Sequence, residues 1–120
     1  MLFHTETRDG ITYRLYAYYD DTSVKGNAIA SGDDKLDARV ERSILKRLDA
    51  GDVWAWASVH VTAEIDDISG IEGDDHLGGC SYASYKQFIK IGGYWDDMKA
   101  TAREDLFSKL NTLVNAAKAL

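Results

Sequence analysis

Residues Gly51 to Tyr82 read G-D-V-W-A-W-A-S-V-H-V-T-A-E-I-D-D-I-S-G-I-E-G-D-D-H-L-G-G-C-S-Y. Two patterns meet in this stretch. From Asp52 to about Asp66, Val53, Ala55, Ala57, Val59, Val61, Ala63 and Ile65 alternate with Trp54, Trp56, Ser58, His60, Thr62 and Glu64. Period two with β-branched and aromatic residues predicts a strand. Its first side is apolar and mostly small, which lets a helix lie close. Its second side grades from aromatic through polar to acidic. One apolar face and one mixed face predict an antiparallel layer covered by helices on one side. From Asp67 to about Ser81 the alternation gives way to acids and four glycines, which predicts a loop.

Working outward, Ile11, Tyr13, Leu15, Ala17 and Tyr19 share one side of a second strand, and Thr12, Arg14, Tyr16 and Tyr18 the other. Residues 1–10 read as a frayed or short strand, and Val24 to Ala30 as a further short strand weakened by Gly26 and Asn27. Asp33 is suited to cap a helix whose stripe is Leu36, Val40, Ile44, Leu45 and Leu48, with Lys46 and Arg47 in its last turn and Gly51 as the stop. Ser84 and Gln87 form a capping box for a short helix ended by Gly92-Gly93. From about Tyr94 onward, Trp95, Met98, Ala102, Leu106, Leu110, Leu113 and Ala117 recur at helical spacing, broadened by Phe107 and Val114. The expected fold is therefore α+β: a small antiparallel sheet of two to four strands, helices packed on one face, and a long C-terminal helix. A length of 120 residues predicts a single domain, 1–120.

Composition narrows the function. Hydrophobic content of 45% with 28% charged residues is that of a soluble globular protein rather than a disordered one. No apolar run is long enough to cross a bilayer, and the N-terminus lacks a basic segment followed by an apolar one, so neither membrane nor secretion is expected. A single cysteine, Cys80, allows no internal disulfide and suits a reducing cytoplasm. The net charge of −6 is local in origin: no lysine or arginine lies between Arg47 and Lys86, while that window holds Asp49, Asp52, Glu64, Asp66, Asp67, Glu72, Asp74 and Asp75. Direct nucleic-acid binding is disfavoured, because phosphate contacts need lysine and arginine. The natural partner of such a patch is a basic protein surface.

Catalytic signatures are lacking. Five Asp-Asp pairs fall at element boundaries, where aspartate caps backbone N–H groups. Asp66, Asp67, Glu72, Asp74, Asp75 and His76 do not follow a calcium-loop spacing. His60, His76 and Cys80 form no zinc motif; Cys80 could pair with His60 or His76 as a thiol nucleophile, but nothing in the local sequence supports that pairing. Neither a metal nor a cofactor is therefore expected. Tyr16 with Tyr18, and Trp54 with Trp56, share strand faces and could build an aromatic ladder.

The W-A-W of Trp54 to Trp56, the small-aliphatic strand after it, the D-H-L-G-G-C-S-Y of Asp75 to Tyr82 and the G-G-Y-W-D-D-M of Gly92 to Met98 resemble small acidic accessory proteins of tailed phages and prophages. That group brings no assigned activity and hence no functional residues. What the resemblance implies is an accessory gene product, similar in kind to inhibitors of host defence of the anti-CRISPR or anti-restriction type.

The leading expectation is a non-enzymatic protein of the host cytoplasm, monomer or homodimer, that binds a basic host protein. Its contact residues are expected to be Trp54, Trp56, His60, Glu64, Asp66, Asp67, Glu72, Asp74, Asp75 and His76, with Tyr94 and Trp95 as alternative anchors to the tryptophans. Two other readings stand beside it: a small metal- or thiol-dependent enzyme using His60, His76, Cys80 and nearby acids, and an assembly protein dimerising through the C-terminal helix.

Overall fold

The computed structural model describes residues 1–120. Its element order is β1 (Leu2–Arg8), β2 (Ile11–Tyr19), α1 (Asp34–Asp49), a single 3-10 turn (Val53–Ala55), β3 (Ala57–Ile65), β4 (Glu72–Cys80), α2 (Tyr85–Lys90) and α3 (Tyr94–Lys118). The four strands form one antiparallel sheet in the order β1-β2-β3-β4. This is the α+β architecture the sequence predicts, with four strands and a 25-residue C-terminal helix.

Residues 1–10 are not frayed. Asp9 and Gly10, at φ 55° and 78°, make the two-residue turn of a β1–β2 hairpin. Positive φ at both positions is what such a turn requires, and Asp-Gly supplies it cheaply. In β2 the alternation holds: Ile11, Tyr13, Leu15 and Ala17 are buried, while Tyr19 is half exposed beyond the covered part of the sheet.

Val24 to Ala30 is not a strand. Val24 carbonyl accepts from the Asn27 and Ala28 N–H groups, so this segment closes on itself in turns. Helix α1 begins as expected, with the Asp33 carboxylate accepting from the N–H groups of Lys35 and Leu36. Its buried side is narrower than its sequence stripe: Ile44 is buried, with Val40 and Leu48 beside it, but Leu36 and Leu45 are exposed. This helix packs against the 3-10 turn, not across the sheet.

Strand β3 starts at Ala57, later than the alternation suggests. Asp52 caps the preceding turn by accepting from Trp54 N–H at 3.1 Å. The turn sets Trp54 and Trp56 in different surroundings: Trp54 joins the main core, and Trp56 a second, smaller cluster with Val24, Ile44 and Ala55. The segment read as a glycine-rich loop is largely strand β4, paired with β3 from Glu64↔Glu72 to Ala57↔Cys80. Between Val59↔Leu77 and Ala57↔Cys80 the strand β4 carries one extra residue, a bulge accommodated by Gly79 at φ 63°.

One face of the sheet is covered. Leu15, Val59, Val61 and Ala63 are essentially inaccessible beneath Phe88 of α2 and Trp95, Met98, Ala102 and Leu106 of α3. Helix α3 runs so close over β4 that a Cβ on Gly73 would stand 2.0 Å from Ala102 carbonyl oxygen. Beyond Leu110 the helix outruns the sheet: Leu113 and Val114 are exposed rather than core, and Phe107 before them is 37% exposed. The molecule measures 63 × 24 × 22 Å. No helix is long and apolar enough to cross a membrane.

The uncovered sheet face as a candidate functional site

The opposite face of the sheet carries no helix, and strand register decides what it displays. Cross-strand pairing aligns Tyr16 with His60 and His60 with His76. The next row is Arg14, Thr62 and Asp74; beyond it lie Thr12, Glu64 and Glu72. Tyr18 and Ser58 form the row on the other side. Rings therefore line up across three strands. Tyr18 stacks on Tyr16 at 6.4 Å, Tyr16 sits 5.9 Å from His60, and His60 stacks on His76 at 4.0 Å with planes 8° apart. The expected aromatic ladder exists, but its members are tyrosines and histidines, not tryptophans.

Trp54 and Trp56 are each 3% exposed and offer no contact surface. The physical reason is the 3-10 turn: at three residues per turn, positions two apart point in different directions, whereas a strand would have set both on one side. Trp54 meets Phe3, Tyr82 and Phe88 in edge-to-face and tilted contacts, and Trp56 Nε1 donates to Thr22 carbonyl at 2.8 Å. Of the alternative anchors, Trp95 is buried and Tyr94 is exposed.

Asp74 is the centre of the polar network. Its Oδ2 lies 3.0 Å from His60 Nε2 and 3.3 Å from His76 Nε2. Its backbone N–H donates to the Asp105 carboxylate of α3 at 3.0 Å. Asp105 in turn pairs with Lys109, whose hydrogen bond, joined by that from Asp74 N–H, holds the Asp105 carboxyl below the usual range. Exposure rises outward through the cluster: the side chains of His60, Asp74 and His76 are 22%, 37% and 67% exposed.

The other acids divide. Glu64 and Glu72 share the uncovered face, and Asp66 and Asp67 lie exposed at the turn that ends it. Asp66 accepts from the Thr12 hydroxyl. Asp75 is paired with Val61 and so belongs to the covered side, where its carboxylate accepts from His76 N–H. It does not join the cluster.

Cys80 does not join it either. It is buried among the core residues, and its thiol is pushed up to about 11 by burial and then by the nearby Asp20 charge. A thiol in that state is a poor nucleophile at neutral pH, so the structure offers no Cys–His pair. Asp20 itself is a structural carboxylate. Partial burial raises it, but hydrogen bonds from the N–H groups of Gly79 and Thr22 and the Thr22 and Ser58 hydroxyls outweigh this and hold it below the usual range. The surface concavities lie away from the histidines, one between Lys25–Ala30 and α1 and another beside Cys80 and Tyr94.

Comparison with protein-family models, with curated proteins and with solved structures produced no match.

Proposed function

We propose that this chain is a non-enzymatic binding protein that docks the uncovered face of its sheet on a basic surface of a host protein. The observation that carries this reading is the asymmetry of the sheet. Helices α2 and α3 seal one face, and the other presents Glu64, Glu72 and Asp74, with Asp66 and Asp67 at its end. Arg14 is the one basic side chain that the four strands place there. A patch of one sign steers and orients an oppositely charged partner. Tyr16 and Tyr18 supply the rigid aromatic area on which interfaces concentrate their energy. Stacking of single-stranded nucleic acid would use similar rings, but needs a basic groove in place of this acidic one.

The resemblance to accessory proteins of tailed phages and prophages supports the host cytoplasm as the setting and a nucleic-acid-targeting defence system as the target. Proteins that hold nucleic acid carry basic surfaces, and an acidic face can occupy them. The test combines Asp67→Lys, Glu64→Lys and Glu72→Lys, which leave His60, Asp74 and His76 untouched. Wild-type protein should recover from host lysate a partner with a basic binding surface. Added salt should weaken that association, and the triple variant should lose at least about tenfold in affinity with an unchanged circular dichroism spectrum. A recovered partner that binds the triple variant undiminished would overturn the proposal.

A further inference from the structure

We infer that His60, Asp74 and His76 form a binding site for one divalent transition-metal ion of the zinc class on the uncovered face. Two imidazoles and one carboxylate suit zinc and its neighbours; calcium and magnesium take oxygen ligands instead. The ligand atoms are already gathered: one ring nitrogen of His60, one of His76 and a carboxylate oxygen of Asp74 all lie within 4.8 Å of one another. Zinc bonds at about 2.0–2.1 Å, which spaces tetrahedral ligand atoms about 3.4 Å apart. The separations of 3.0 and 3.3 Å from Asp74 Oδ2 to the two imidazoles approach that spacing.

The strands hold this arrangement in place. His60 and His76 are directly opposite in the β3–β4 ladder, and Asp74 is two residues from His76 on the same face. The contact ion pairs of Asp74 are with those two histidines; Lys109 feels its charge but pairs directly with Asp105 instead. Its backbone is tied to α3 through Asp105. One adjustment is required. An ion lies in the plane of each imidazole it binds, and the planes here are 8° apart and stacked. The more exposed ring, His76, must therefore turn out of the stack. Three protein ligands then leave a fourth position facing solvent, open to water or to a donor from another molecule.

This inference does not depend on the proposed partner, and its test uses the purified full chain alone, without a polyhistidine tag. Metal-stripped protein is titrated with zinc by calorimetry, and the imidazole resonances are followed by NMR. One ion per chain should bind, shifting His60 and His76 but not His4, and added zinc should raise the melting temperature. His76→Ala removes an exposed ring and should lower affinity at least about tenfold, as should His60→Ala. His4→Ala and Asp75→Asn should leave it unchanged. Absence of stoichiometric zinc binding, binding that survives both His60→Ala and His76→Ala, or a preference for calcium or magnesium would each overturn the assignment.

Discussion

Gly73 shows how much one missing side chain decides here. It lies where α3 crosses β4, and a methyl group would stand 2.0 Å from Ala102 oxygen and 2.3 Å from Leu106 nitrogen. Both are backbone atoms of a helix and cannot rotate aside. Gly73→Ala should therefore destabilise by at least about 3 kcal/mol, the upper end of ordinary overpacking costs, read as a fall in the denaturant midpoint. Stability within about 0.5 kcal/mol of wild type would mean that α3 sits further from β4. The neighbouring Asp74 is placed by the same contact: the close approach brings Asp105 within reach of its N–H.

At the scale of elements, α3 does two different things along its length. Trp95, Met98, Ala102 and Leu106 are buried, while Leu113 and Val114 are about half exposed. Leu106→Ala should cost about 2–5 kcal/mol through the cavity it leaves. Leu113→Glu with Val114→Glu should change the stability of the monomer by less than about 0.5 kcal/mol. A large loss from the second pair, accompanied by a fall in mass by light scattering, would instead mark this end of the helix as a dimer seam. The same contrast explains what was legible beforehand. Helical spacing identified α3 and its whole apolar stripe, but spacing does not say where the sheet beneath it stops. Strand β2, helix α1 with its Asp33 cap and helix α2 with its Ser84 cap followed from local chemistry.

Strand β4 did not. Its sequence E-G-D-D-H-L-G-G-C is rich in residues disfavoured in strands, and its pairing with β3 beneath α3 overrides that preference. Taken as a loop, this segment groups His60 and His76 with Cys80 and nearby acids, but it gives no register that would single out Asp74 between the two rings and leave Cys80 aside. The acidic and histidine content was visible; the register that joins it was not. The β1–β2 hairpin differs: Asp9-Gly10 before the alternating strand is a local turn signal, which the reading of residues 1–10 as a frayed or short strand passes over.

Across the whole molecule, Trp54 and Trp56, two residues apart, belong to separate cores. Sixteen buried residues, Trp54 among them, hold the sheet to α2 and α3, whereas α1 is attached through the four-residue cluster of Val24, Ile44, Ala55 and Trp56 and through Arg47, which donates to Asp52 and to the Tyr82 carbonyl. Stability is distributed accordingly. Amide protons of α1 should exchange with deuterium markedly faster than those of β2 and β3, and Trp56→Ala should speed α1 further while leaving protection in the sheet nearly intact. Equal protection across α1 and the sheet would show that the two cores open together. Faster exchange in α1 would make the chain two cooperative units of unequal strength, with α1 leaving its seat and returning while the ring ladder and the acids on the sheet keep their register.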